Sequence, residues 1–298
     1  MTSRNEEPAV LARTIGGVLD SCSAAERDVI VVDDGSRSPV LGLPSEVRLV
    51  RNAEPLGVSR ARRLGCSLAR REVLVVLDAH MTFGEGWLAA MLQHIERGVL
   101  LCGAYWDYER SRHASFGADL YLETVRDYAG GRTPGVQVAA RMSESPAEVH
   151  EVPAVLGGCY AISLESYTEM GGFCPLFGTW GVDEQDVSIR TWMSGGRVLC
   201  VPKASVGHLT RSGFPYAVGY DDVEVNQLLM IRSIFGFRTV QTFEKMFRPL
   251  SDSVRQRVDA TDLRAWRRAV QSTRERTDIE ILDHLLPRAR ELLDNLGS

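Results

Sequence analysis

Apolar residues along this chain fall into two kinds of run. Two short ones, DVIVVDD over 28–34 and EVLVVLDAH over 72–80, are nearly continuous, rich in β-branched residues, and end in a cluster that includes acidic residues. Runs of this length predict strands buried on both faces, the pattern of a parallel sheet. Between them, LGVSRARRLGCSLARR (56–71) sets Leu64 and Leu68 to one side and its arginines to another, which predicts an amphipathic helix. PAVLARTIGGVLDSC (8–22) and EGWLAAMLQHIERG (85–98) predict two more helices, the second leading into a strand, VLLCGAYW (99–106). This alternation implies an α/β fold with an open, Rossmann-like parallel sheet flanked by helices, in which ligands gather at the carboxyl ends of the strands. Both acidic clusters lie at such ends.

From 107 to 152 Gly, Pro and Ser interrupt every period, which predicts a long excursion that lines or covers a site. Order returns with AVLGGCYAIS (154–163) as a strand, LESYTEM (164–170) as a short helix, DEQDVSIRTWMSGG (183–196) as a helix ended by Gly195 and Gly196, and RVLCVP (197–202) as a short strand. Beyond about 240 the pattern predicts two or three amphipathic helices packed on the domain.

Composition narrows the class. The chain has 298 residues, 44% of them hydrophobic and 24% charged, enough for one large α/β domain with an appendage. It has no apolar run near the roughly 20 residues that a membrane span needs. The opening MTSRNEEPAVLART has no signal-peptide core, so a cytoplasmic location is expected. A net charge of −5 with scattered basic residues argues against a nucleic-acid-binding face. The six cysteines include no Cys-x-x-Cys pair, which predicts buried, reduced thiols.

Several polar groups could carry chemistry. Asp78 and His80 are two residues apart at a strand exit, so extended backbone aims both at one point. Oxygen plus imidazole suits a divalent ion such as manganese, although a strand-end Asp is also ordinary turn chemistry. His208 could be a third ligand or a hydrogen-bonded histidine at a sheet end. Asp33 and Asp34 in VVDDGS fit a turn, or a carboxylate that holds a base or ribose. Arg60, Arg62 and Arg63 fit a solvated helix face or a diphosphate site. Asp183, Glu184 and Asp186 complement a helix N-terminus, yet three carboxylates in four residues repel one another and raise their pKa values as a general base requires.

Taken in order, these stretches resemble the catalytic domain of the polypeptide N-acetylgalactosaminyltransferases and, more generally, family 2 glycosyltransferases of the GT-A fold. The match runs from about residue 5 to 232 through NEEPAVLARTIGGVL, VVDDGS, GVSRARRLG, LDAHMTFGEGWL, GGCYAIS, TWGVDEQDVSIRTWMSGG and SVGHLTRSGFPY. It implies a GT-A domain over 1–240 with a C-terminal helical extension over 241–298. By this resemblance Asp78, His80 and His208 would hold manganese, or magnesium, which grips the phosphates of a UDP-sugar donor. Asp34 and Arg62 would contact the nucleotide, with Asp33 beside them. Arg211 and Tyr216 would belong to a segment closing over the diphosphate, and Trp180 to a mobile loop beside it. Asp183 would sit near the sugar and the acceptor, a hydroxyl or thiol of a peptide, protein or natural product.

Three departures qualify the resemblance. Glu184 stands where the family has asparagine, so DEQD is closer to the family 2 pattern in which an acidic residue is the base of an inverting reaction. Retention and inversion both stay open, as does a non-catalytic sugar-nucleotide-binding protein. The family's fold begins with a strand just before the Asn-Glu, where here only MTSR stands, which implies a later start or a differently built uridine pocket. No Golgi anchor or lectin domain is legible, so a secretory mucin-type role is not expected.

Overall fold

The computed structural model describes residues 1–124, 133–141, 146–211, 213–247 and 250–291. The two apolar runs form β2 (Val29–Asp33) and β4 (Val73–Leu77), following β1 (Thr2–Ser3) and α1 (Pro8–Leu19) and separated by β3 (Val47–Arg51) and α2 (Val58–Ser67). β1 and β3 both pair parallel with β2, and a parallel bridge from Thr2 to Asp78 joins β1 to the end of β4. The strand expected to be missing before Asn5 is therefore present, made of the two residues Thr2 and Ser3.

Beyond β4 come β5 (Met81–Phe83), α3 (Trp87–Leu92) and β6 (Val99–Asp107). The expected helix over 85–98 is thus only six residues long: Gly86, at a φ of +67°, precedes its start, and after Leu92 the backbone bonds tighten to i→i−3 at His94 and Ile95 before the turn at Gly98. The excursion carries β7 (His113–Phe116), the antiparallel hairpin β8 (Ala118–Glu123) and β9 (Gly135–Ala140), and β10 (His150–Glu151). Residues 125–132 and 142–145 of that segment lie outside the described residues.

The chain then returns as β11 (Cys159–Ser163), α4 (Leu164–Glu169), α5 (Asp183–Met193) and β12 (Arg197–His208). β11 lies between β4 and β6 and is antiparallel to both, whereas β12 is parallel to β6. The central strands therefore run β3-β2-β1-β4-β11-β6-β12 with β11 reversed, and β10 and β5 on β12 and β7 on β6 add further antiparallel pairings. The excursion brings the chain back to the edge where β6 ended, and an antiparallel strand needs no crossover to start there. β12 is twice the expected length: it passes a bulge between Val201 and Ser205 and ends opposite Met81 of β5, which sets His208 beside the Asp78–His80 stretch.

Both faces of the sheet are buried, as continuous apolar strands require. Leu100, Cys102 and Ala104 of β6 face one cluster, while Val99, Leu101 and Tyr105 face another that contains Trp87, Leu88 and Met91 of α3. The first cluster also takes in α6 (Tyr220–Ile234), α7 (Phe237–Met246), α8 (Asp252–Ala260), α9 (Arg264–Ser272) and α10 (Asp278–Leu285) through side chains such as Leu228, Phe243, Val258, Trp266 and Ile281. No helix among the described residues is long and apolar enough to cross a membrane. All six cysteines are free, five of them buried.

Of the three carboxylates expected to crowd the start of α5, Asp183 and Glu184 stay together, and burial with the charges of Glu184 and Asp186 pushes the Asp183 carboxyl upward, but Asp186 does not face the same space. Asp186 turns into the protein and binds Arg190 with 3.0 Å and 2.5 Å contacts, both side chains 1% exposed, and Arg190 also donates to the carbonyls of Met170 and Gly172 at 2.8 Å. Removing one partner of such a pair strands a buried charge. Asp186→Ala is expected to cost about 3–5 kcal/mol of stability, read as a lowered urea midpoint with an unchanged slope.

Candidate active site

A cavity of about 530 Å³ opens at the edge where β1, β4 and β12 end and α5 begins. Of the eleven site residues expected from sequence, ten line it, and Asp33 does not. Asp33, the last residue of β2, is fully buried, accepts from the backbone N–H groups of Ser36 (3.0 Å) and Val40 (3.3 Å) and pairs with Arg51. Its role is the turn. Asp34 borders the cavity and accepts from Asn52 Nδ2 (2.8 Å), Leu56 N (2.8 Å) and Gly57 N (2.9 Å), which fixes the loop leading into α2.

Asp78, His80 and His208 each present one ligating atom, all within 4.8 Å of one another. The His208 Nε2 is 3.5 Å and the His80 Nε2 4.0 Å from the same Asp78 Oδ2. One oxygen and two imidazole nitrogens converging in this way match the donor preferences of a manganese-type divalent ion. Burial alone would raise the Asp78 carboxyl, but His208, Arg62 and His80 outweigh it and hold the group far below the usual carboxylate range. Two glycines make the approach possible. A Cβ on Gly158 would lie 3.1 Å from the His208 ring, and one on Gly157 would lie 2.7 Å from the Glu184 carboxylate.

The three helix arginines separate. Arg60 is exposed, and Arg63 braces the carbonyls of Gly171 (2.6 Å) and Phe173 (2.7 Å). Arg62, with a side chain 4% exposed, reaches Asp78 Oδ1 (2.8 Å), Glu184 Oε1 (3.0 Å) and Asp183 Oδ2 (3.4 Å). Burial drives the Asp183 carboxyl up to about 8, Arg62 opposes the rise, and the neighbouring Glu184 adds to it. Its Oδ1 and the Nε of Arg62 are buried with no hydrogen-bond partner among the described residues, as are Ser3 Oγ and Gln185 Oε1 at the same cavity. A polar ligand would satisfy them.

The mouth is aromatic. Trp180 is 38% and Phe214 48% exposed, their rings 4.7 Å apart; Phe214 lies 5.9 Å from Tyr216, whose other side faces the Arg4 guanidinium at 4.5 Å. Asn226 of α6 holds the Trp180 loop by accepting from Gly178 N (2.8 Å) and donating to the carbonyls of Gly178 and Trp180 (3.1 Å each). At the start of α5, Val182 sits at φ +79°, a conformation a β-branched residue adopts only under strain.

Sequence reasoning missed Glu6, Asn226 and Gln185. Glu6 stood inside a quoted motif, but its partners, His80 at 3.0 Å and Arg211, are 74 and 205 residues away. No local pattern encodes such a pairing.

The Asp183 shift has a measurable consequence. The unfolded chain releases this proton near 3.8, whereas the folded chain keeps it to about 8, so this group makes stability fall as pH rises through that window. Asp183→Asn is expected to flatten the slope and to exceed the parent in urea midpoint at pH 8 relative to pH 5.

Residues 1–139 match the family described as glycosyl transferase family 2, and residues 140–212 match the N-terminal domain of galactosyltransferase. Polypeptide N-acetylgalactosaminyltransferase 3 of Drosophila melanogaster is 32% identical over 231 residues, 71% of this chain and 34% of that protein. Polypeptide N-acetylgalactosaminyltransferase 10 of Homo sapiens is 29% identical over 236 residues, 72% of this chain and 38% of that protein. The chain thus spans little more than a third of the length of these curated relatives. A solved structure of GalNAc-T7 with UDP, GalNAc and Mn2+ superposes with a TM-score of 0.76 at 20% identity, over 99% of this chain and 57% of that one, a likeness of fold.

Proposed function

We propose, from the premise that the chain carries a glycosyltransferase catalytic domain of the GT-A fold resembling that of the polypeptide N-acetylgalactosaminyltransferases, that it moves a sugar from a UDP-sugar to a hydroxyl or thiol acceptor. The donor sugar is N-acetylgalactosamine or a related hexose, and the acceptor a peptide, protein or natural product. The observation that carries this reading is the convergence of Asp78, His80 and His208 at one edge of the cavity. A divalent ion held there, manganese or magnesium, would supply positive charge to the diphosphate leaving group.

The remaining roles belong to the chain. Arg62 holds Asp78 by one oxygen and so leaves the other facing the two histidines. Ser3 and Asp34 border the part of the cavity suited to the nucleoside, and Arg211 and Tyr216 the part where a segment can fold over phosphates. Trp180 and Phe214 cover the mouth, where they would exclude water and limit hydrolysis of the donor. Asp183, protonated at neutral pH, can donate to a sugar or acceptor oxygen.

An inverting reaction with Glu184 as the base is supported by one contrast. Arg62 contacts both acids, but Glu184 is the closer and, at 16% side-chain exposure, the more open to the cavity.

UDP release from a panel of UDP-sugars, with manganese and with EDTA, is expected to show slow metal-dependent turnover of one donor. UDP binding without turnover, with or without candidate acceptors, would favour a binding protein. His208→Ala should lose the manganese-stimulated release while keeping its far-UV spectrum and melting temperature. Glu184→Gln should lower the rate by 100-fold or more, within the roughly 10²–10⁴-fold range of general-base catalysis, if the product anomer is inverted. A near-wild-type rate would remove Glu184 as base.

A further inference from the structure

Glu6, an acid in the cavity wall beside the ligand set, has no role in the reading above. Glu6 follows Asn5, whose backbone turns at φ +54° and whose side chain is held at both ends: Nδ2 donates to the Pro215 carbonyl (3.0 Å) and Oδ1 accepts from Arg37 N (2.8 Å). The backbone N–H of Asn5 also donates to Ser36 Oγ (2.8 Å). This anchored turn delivers the Glu6 side chain, 4% exposed, into the cavity wall. There its two oxygens go to different elements. Oε2 lies 3.0 Å from His80 Nδ1, and Oε1 pairs with Arg211.

We propose that Glu6 is a positioning residue that uses one carboxylate to orient the metal ligand His80 and to dock the Arg211 segment against the site. An ionised carboxylate only accepts hydrogen bonds, so Glu6 fixes Nδ1 as the donor side of the His80 ring and turns Nε2, the atom that faces Asp78 Oδ2, toward the ligand set. Outer partners of this kind set ring orientation and raise ligand basicity. The second oxygen holds a cation from the chain segment after β12 at the cavity edge. One side chain thereby joins the order of the metal site to that of Arg211, just beyond the end of β12. The inference rests on the metal reading above and adds a residue that neither ligates the ion nor touches the reacting atoms.

The test uses the full chain without nucleotide. Mn2+ binding is measured by the loss of the free-ion electron paramagnetic resonance signal, and loop order by hydrogen–deuterium exchange of the peptide spanning 209–216. Glu6→Ala should weaken Mn2+ binding roughly 10- to 100-fold and speed exchange of that peptide. Glu6→Gln, whose amide oxygen can still accept from His80, should keep Mn2+ affinity close to wild type but speed exchange as Glu6→Ala does. Arg211→Ala should speed exchange alone. Should Glu6→Ala misfold, Glu6→Met supplies similar volume without an acceptor. Wild-type affinity and wild-type exchange in Glu6→Ala would overturn the inference while leaving the metal site intact. A wild-type protein that binds no Mn2+ would overturn the metal reading and the His80 half with it, and the exchange data would still decide the Arg211 half.

Discussion

The site depends on one buried guanidinium. Arg62 faces three carboxylates that come from the end of β4 and the start of α5, elements more than 100 residues apart in sequence. Asp78, Asp183 and Glu184 share one wall around this single cation, whose opposite charge offsets the repulsion between any two of them that are ionised together in a poorly hydrated space. Buried ion pairs seldom add net stability, since desolvation offsets most of the attraction. The value of Arg62 is positional: it occupies one oxygen of Asp78 and leaves the other to the histidines.

Support for the mouth comes from the other end of the chain. Asp222 of α6 accepts from Thr179 Oγ1 (2.9 Å) in the Trp180 loop and from Arg257 of α8 (2.6 Å). Together with Asn226, these bonds tie a loop whose aromatic residue is partly in solvent to helices whose apolar faces share the main core. The C-terminal helices thus brace the loop beside the cavity. Loops that carry function keep their freedom at the tip and are fixed at the base by a rigid scaffold.

Much of this is legible in the chain, and the failures have identifiable causes. The apolar runs at 28–34 and 72–80 form β2 and β4 because continuous β-branched stretches can be satisfied only by burial on both faces. Asp78 and His80 converge because they lie two residues apart at a strand exit. Asp33 and Asp34, in contrast, look equivalent in sequence, yet adjacent residues on a strand point to opposite faces and only Asp34 borders the cavity. Asp186 departs from the expected cluster for a similar reason: α5 turns it away from Asp183 toward Arg190, one helical turn on.

By itself the sequence determined the alternation of strands and helices and the acidic strand ends, because each depends on local spacing and periodicity, and it carried a motif order that resembles the GT-A glycosyltransferases. Tertiary structure alone decided the reversed direction of β11, the length of β12 that brings His208 to Asp78, and the partners of Arg62 and Glu6. Those contacts join residues far apart in the chain, and their geometry is set by sheet register and by which strand ends share an edge, quantities that no local run of residues contains.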